Sequence, residues 1–179
     1  MRRVAIFGNA GGGKSTLARR LSVLTGLPHF AIDTIRYRPG GGEVPIEEYL
    51  GRHAELLDRP EWIMDGFGTF GTTWERLAVA DTLIHVDLPL STHYRWVSKR
   101  LLTGLFKTPE GWPEDSPIWR STMNSYRTIW RCHRHLTPRY RQYVADAAGS
   151  KRVHHLTSPA AIAAFVDTTR RQAGCATGG

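Results

Sequence analysis

Gly8-Asn9-Ala10-Gly11-Gly12-Gly13-Lys14-Ser15 decides the reading of this chain. The stretch satisfies G-x-x-x-x-G-K-[ST] at every fixed position. Its glycines allow successive backbone N–H groups to turn into one concavity that receives phosphate oxygens. The helix expected to start near Lys14 adds the positive end of its dipole. Lys14 is placed to reach β- and γ-phosphates, and the Ser15 hydroxyl to ligate Mg²⁺. Thr16 is expected on the α-phosphate. A chance glycine turn would lack the context found here. An apolar run at residues 2–7 leads in, and Leu17, Leu21 and Leu24 line one face of the helix that follows. Gly8, Asn9, Ala10, Gly11, Gly12, Gly13, Lys14, Ser15 and Thr16 are therefore the expected ATP-binding residues, with Mg²⁺ as the companion ion.

Outward from this loop, apolar β-rich runs at 2–7, 29–32, 61–64, 83–86 and 153–156 predict strands. Amphipathic stretches at 14–25, 45–58, 90–102, about 118–136 and about 159–170 predict helices. Glycine and proline mark loops at 37–42, 66–73 and 103–116, and Pro138 is expected to break or kink the helix before it. Strands alternate with helices, which predicts an α/β fold with a parallel sheet, helices on both faces and right-handed crossovers. One domain is expected over residues 1–172, followed by a flexible tail at 173–179. Asp87, just before Leu88-Pro89, reads as an N-cap.

Hydrophobic residues make up 41% of the 179 positions, enough for a full core without a metal or disulfide staple. Two isolated cysteines, Cys132 and Cys175, form no disulfide framework. No run has the form of a leader or reaches membrane-spanning length, so the expectation is a cytoplasmic protein with no membrane partner. The net charge is +8 and the isoelectric point about 10.0. Such a balance suits either a nucleic acid or polyanionic small molecules such as ATP. The excess sits in the second half, in Arg95, Lys99, Arg100, Lys107, Arg120, Arg127, Arg131, Arg134, Arg139 and Arg141.

Further stretches carry a resemblance. Ala31-Ile32-Asp33-Thr34-Ile35-Arg36 leads to Arg38-Pro39-Gly40; Trp62-Ile63-Met64-Asp65-Gly66-Phe67 follows; His154-His155-Leu156-Thr157-Ser158-Pro159 lies near the end. With the Gly8–Ser15 motif, the chain resembles the adenylate kinase-related group of small P-loop kinases, and within it the topology modulation proteins. The resemblance implies a three-layer P-loop NTPase fold with a five-stranded parallel sheet in order 2-3-1-4-5. It implies a lid at about 103–124 and an acceptor-binding insert at about 34–60. It implies that Thr157, Ser158 and Pro159 lie near the adenine.

The ends of the second and third strands face the crevice where such sheets bind ligands. Asp65 there is expected to hold Mg²⁺ with Ser15 or to orient an acceptor hydroxyl, and Asp33 to contact the acceptor or act as base. Gly66 completes the acceptor edge. Two departures affect the acceptor. Adenylate kinases continue with Pro-Arg where this chain has Gly68-Thr69, so Arg36, Arg38 or Arg76 is the expected replacement for the phosphate-gripping arginine. Topology modulation proteins carry Asn where this chain has Phe67.

Arg120, Arg127, Arg131 and Arg134 fall within one narrow arc of a helix, with Tyr126, Ile129, Trp130 and His133 on a neighbouring, buried arc. Arg120 and Arg127 are the expected catalytic arginines beside Lys14, Asp33 and Asp65; Arg95 and Arg100 are expected on the lid. Mobile arginines neutralise the transferring phosphoryl group in such enzymes. Cys132, His133 and His135 point to different helix faces and make no metal site. The expected activity is transfer of the ATP γ-phosphoryl group to a small acceptor, a nucleotide or nucleoside among the candidates, by a monomer or homodimer. Two alternatives stand beside it. One is a nucleic-acid-associated ATPase that uses the arginines and their interleaved aromatics. The other is a nucleotide-binding switch without turnover.

Overall fold

A computed structural model describes residues 1–38, 42–104 and 118–176; the side chains of 100–104, 118–124 and 175–176 lie outside that description. Among the described residues, five parallel strands form one sheet in the order β2-β3-β1-β4-β5. In chain order the elements are β1 (Arg3–Gly8), α1 (Lys14–Thr25), β2 (His29–Ala31), α2 (Ile32–Arg36), α3 (Ile46–Leu57), β3 (Trp62–Asp65) and α4 (Phe70–Val79). Then follow β4 (Thr82–Val86), α5 (Leu90–Gly104), α6 (Ile118–Arg131), a π-helical turn (Cys132–Leu136), α7 (Thr137–Ala147), β5 (Arg152–Leu156) and α8 (Pro159–Ala176).

Alternation along the strands divides the core in two. Val4, Ile6, Ile63, Ile84, Val86 and Leu156 pack with Leu17 and Leu21 of α1 and Val166 of α8. Ala5, Phe7, Trp62, Met64 and Leu83 pack on the other face with Leu77 of α4, Leu136, and Tyr140 and Val144 of α7. Full burial of each Ile, Leu or Phe contributes about 1.5–3 kcal/mol. The continuous apolar reading of β1 and β4 follows from this double cover.

Four local expectations are corrected. The second strand ends at Ala31 rather than at 32. Ile32 enters the core, the Thr34 hydroxyl bonds back to the Ala31 carbonyl, and the five-residue helix α2 forms, so Asp33 sits in a first helical turn rather than at a strand end. The glycine-rich stretch at 66–73 is loop only to Thr69. Thr69 caps α4, with Thr72 completing the reciprocal pair. Pro138 does not break the helical path. It occupies the first turn of α7, where its missing N–H has no intrahelical role, and the π-helical turn joins α6 to α7 without a loop. Helix α8 runs to Ala176, so residues 173–176, expected in the tail, are helical.

Among the described residues, the acceptor insert expected at 34–60 includes the end of α2, a bridge between Tyr37 and Glu43, and α3. The expected loop at 103–116 and much of the lid at 103–124 lie outside the described residues. Among the described residues no helix is long and apolar enough to cross a membrane.

Candidate phosphate and acceptor site

The loop between β1 and α1 can leave the sheet only because Gly8 is a glycine. Its φ is +131°, and a Cβ there would stand 2.1 Å from the Val86 carbonyl oxygen on β4. From that tight start the chain turns into α1, whose N-cap is Gly13. Lys14 Nζ donates to the Asn9 carbonyl at 2.7 Å, folding the ammonium over the loop. The Asn9 side chain accepts from Ala10 N at 2.7 Å and donates to the Ile129 carbonyl of α6 at 3.0 Å, tying the loop to α6. From α5, the buried His93 donates through Nδ1 to the Ala10 carbonyl at 2.8 Å. Burial pushes the His93 imidazole below its usual value, which keeps it neutral near pH 7.

Ser15 Oγ donates to Asp65 Oδ2 at 2.5 Å, and His29 Nε2 lies 2.6 Å from Asp65 Oδ1. Thus the start of α1, β2 and β3 bring one hydroxyl, one imidazole and one carboxylate together beside the loop. Burial alone raises the Asp65 carboxyl, but the bonds from His29 and Ser15, with the Lys14 charge nearby, hold it below the usual carboxylate range. The oxygen donors of Ser15 and Asp65 fit the preference of Mg²⁺ for hard ligands.

Asp33 is exposed in the first turn of α2, two residues beyond the end of β2. Its Oδ1 accepts from Phe67 N at 3.2 Å and Gly68 N at 3.4 Å. The 66–68 turn is locked from below: Gly68 has φ +67°, and a Cβ there would meet the Tyr49 hydroxyl at 2.0 Å. The Thr73 hydroxyl donates to the Phe67 carbonyl at 2.7 Å.

The three arginines expected to grip an acceptor fare differently. Arg76 is fully buried. Its Nη2 donates to the Gly66 carbonyl at 2.6 Å, while Nε and Nη1 have no hydrogen-bond partner among the described residues. Burial lowers its pKa, opposed by the nearby Tyr49, Tyr140, Asp33 and Asp65. It supports the 66–68 turn from behind and has no exposed surface. Arg36 is also engaged, through Nη1 to the Val44 carbonyl at 2.9 Å and Nη2 to Glu43. Arg38 is exposed and 3.7 Å from Glu48.

Arg95, Arg127, Arg131 and Arg134 are exposed; the side chains of Arg100 and Arg120 lie outside the described residues. On α6, Ile129 is buried as expected, but Trp130 is 49% exposed, contrary to its assignment to the buried arc. The distinction turns on which neighbour α6 meets: Tyr126 is drawn to α5, its hydroxyl 2.6 Å from that of Ser98. Asp87 is no N-cap either. Arg141 donates to both its oxygens at 2.7 and 3.0 Å, and His155 Nε2 lies 2.8 Å from Oδ2. Donor atoms of His85, Asp87 and His155 lie within 4.8 Å of one another, with the carboxylate already occupied by Arg141.

A cavity of about 370 Å³ opens beside the phosphate loop, lined by Gly13, Thr16, Arg20, Trp96, Pro159 and Val166 among others. Trp96 covers Gly13, whose Cβ position lies 3.1 Å from the indole. Sequence reasoning placed Pro159 here by resemblance and missed Trp96, His93 and His29. Trp96 and His93 act across more than 80 residues of chain, for which spacing gives no signal. His29 sits on a recognised strand, two residues after Leu27.

No family model matches the sequence, and no curated protein matches it. Among solved structures, the chain is similar to a shikimate kinase from Acinetobacter baumannii in complex with shikimate, at 16% identity and TM-score 0.59, over 96% of this chain and 92% of that one. It also aligns with an unliganded sugar kinase from Janibacter sp. at 17% identity and TM-score 0.48, over 97% and 92% of the two chains. The first likeness, with the parallel sheet in order 2-3-1-4-5 and the loop at Gly8–Ser15, shows that this chain has a P-loop kinase fold.

Proposed function

We propose that this chain is an ATP-dependent kinase that transfers the γ-phosphoryl group to a hydroxyl of a small acceptor. The observation that carries the reading is the 2.5 Å contact between Ser15 and Asp65, one residue from the turn that grips Asp33. On this reading the groups for nucleotide and metal lie beside the carboxyl ends of β1 and β3, and the acceptor group lies in the first turn of α2 just beyond β2.

The loop N–H groups and Lys14 would hold the β- and γ-phosphates. Ser15 and Asp65 would hold Mg²⁺, which when bound neutralises charge on those phosphates. The cavity beside Trp96 and Pro159 has room for the adenine, between an aromatic face and the start of α8. Asp33 would accept the proton of the acceptor hydroxyl as its oxygen bonds to the γ-phosphorus and the bond to the β–γ bridging oxygen breaks. Arg127, with Arg120, would meet the charge on the transferring group. The adenylate kinase-like and topology modulation protein-like resemblances belong to this reading, and the P-loop kinase fold shared with the shikimate kinase supports a phosphotransferase in general.

The test is ADP release from ATP and Mg²⁺ across a panel of hydroxyl acceptors, with Lys14→Ala as the blank. Acceptor-dependent release that falls at least about 100-fold in the blank is expected. A second reading has its own observation: Arg127, Arg131 and Arg134 are exposed on the helical path that presents the half-exposed Trp130, a combination suited to stacking on a single strand. Release stimulated only by DNA or RNA, with a steep salt dependence, would replace the kinase by a nucleic-acid ATPase.

A further inference from the structure

Two aromatic side chains stand exposed beside the proposed acceptor carboxylate. Phe67 is 38% exposed and Phe70 57%. Their rings meet edge to face, with centroids 5.3 Å apart. Phe67 supplies one of the N–H groups that hold Asp33. Its backbone is fixed by the Thr73 hydroxyl and by the Gly68 turn over Tyr49. Phe70 is the first residue of α4, anchored by the Thr69 cap. A pair of large apolar rings held in water by a rigid turn is not accounted for by the core, and exposed apolar surface next to polar groups marks a binding site.

Charge narrows the occupant. Asp33 is exposed and negative at this edge. Arg36 is spent on Glu43 and the Val44 carbonyl, and Arg76 is buried on the Gly66 carbonyl. Arg38 leans toward Glu48. Among the described residues, a phosphate or carboxylate on the acceptor would therefore meet a carboxylate, with Arg36 and Arg76 committed to other partners and Arg38 drawn toward Glu48.

We infer that the acceptor is an unphosphorylated, hydroxyl-bearing molecule with a flat apolar ring, such as a nucleoside or an aryl polyol, the ring resting on Phe67 and Phe70 and the hydroxyl on Asp33. The inference rests on the kinase reading and specifies its substrate class. The reaction balances as described above: the acceptor hydroxyl gains the phosphoryl group, its proton goes to Asp33, and ADP leaves.

The experiment compares the full chain with ATP and Mg²⁺ on three matched sets: nucleosides and aryl polyols, the corresponding monophosphates, and ring-free sugars and polyols. The expected result is turnover with the first set and at least about tenfold lower kcat/KM with the other two. Phe67→Ala and Phe70→Ala should raise acceptor KM about 10- to 100-fold with KM for ATP unmoved, and Phe67→Tyr should restore it. Both side chains are exposed, so the variants are expected to fold, checked by an unchanged Tm. Preference for a monophosphate or a ring-free sugar, or an acceptor KM insensitive to both alanine variants, would overturn the inference and leave the kinase reading standing. No turnover with any set, with ADP binding intact, would overturn both.

Discussion

At the scale of single residues, the site depends on groups that hold other groups. His29 touches Asp65 at 2.6 Å and leaves the opposite oxygen to Ser15. A partner of this kind fixes the orientation of a metal-binding carboxylate, and its loss characteristically costs 10–100-fold in metal affinity. His29→Leu is therefore expected to raise the Mg²⁺ concentration for half-maximal turnover about tenfold. His29→Gln, which keeps a donor, should recover most of it; titrating Mg²⁺ at saturating ATP reads the difference. Arg76 shows why such supports escape a sequence reading. An arginine on an amphipathic helix reads the same whether it points to a ligand or into the core. Only the position of Gly66 above α4 shows that this guanidinium props the turn. The positions of Lys14 and Ser15 at the start of α1 were legible because the Gly8–Ser15 motif specifies the backbone that carries them, and that of Asp65 at the end of β3 because an apolar run stops there at Gly66. Arg36 was not, because Glu43 and Val44 reach it through a local bridge that no periodicity announces.

At the scale of elements, local chemistry decides boundaries. Helix α4 begins at Phe70 because Thr69 and Thr72 satisfy each other's end groups. Thr69→Ala should cost about 1 kcal/mol and lower Tm by about 2–4 °C, measurable by thermal unfolding monitored by circular dichroism. The turn proposed to hold the acceptor is carried by the same cap, so on that proposal acceptor KM should rise in this variant more than KM for ATP. The five strands and helices α1, α3, α5 and α8 were legible because long apolar runs and amphipathic repeats are averaged signals. The five residues of α2 are too few for such averaging, and Gly66, Gly68 and Gly71 disguised the start of α4. Helix α7 was hidden by Pro138, which is a breaker inside a helix and neutral in its first turn. Trp130 was assigned inward from a helical wheel, which cannot say that α6 has P-loop and α5 neighbours on one side and water on the other.

At the scale of the whole molecule, acid should undo the fold in two stages. Burial pushes His53 and His85 down to about 4. His53 lies near the Arg76 charge; His85 is stacked between Phe7 and His155, with Asp87, Arg141 and Lys14 as its charged surroundings. Unfolded histidine titrates near 6.5, so the unfolded chain takes up protons first. Their contribution is complete above about pH 6.5, declines as pH falls and levels off below about 4. At pH 5 the loss is about 2 kcal/mol per histidine. Asp65 and Asp87 act in a lower window. Both are held below the ordinary carboxylate value, Asp87 by Arg141 and His155 against the effect of burial. Their contribution is present above that ordinary value and disappears as pH falls through the depressed one. Urea unfolding at pH 7.5 and pH 5 should show His85→Phe, which preserves the ring stack, losing about 2 kcal/mol less than the parent.

The π-helical turn at Cys132–Leu136 closes with the Thr137 N–H on the Cys132 carbonyl, five residues back. In effect the helical path from α6 to α7 contains one supernumerary residue, and the spacing rule of 3.6 resets across it. Angular bookkeeping that joins Arg127 and Arg131 to Arg134 therefore adds across two different reading frames. The same slack makes this turn a place where the chain can lose one residue and relax to an ordinary α-turn. Tyr140 and Val144 would keep their aim at the sheet. A deletion inside α6 or α7 has no such reserve and swings everything beyond it by about 100°. The covering of one face of the sheet is thus insulated, by a single irregular turn, from changes of length in the segment that approaches the phosphate loop.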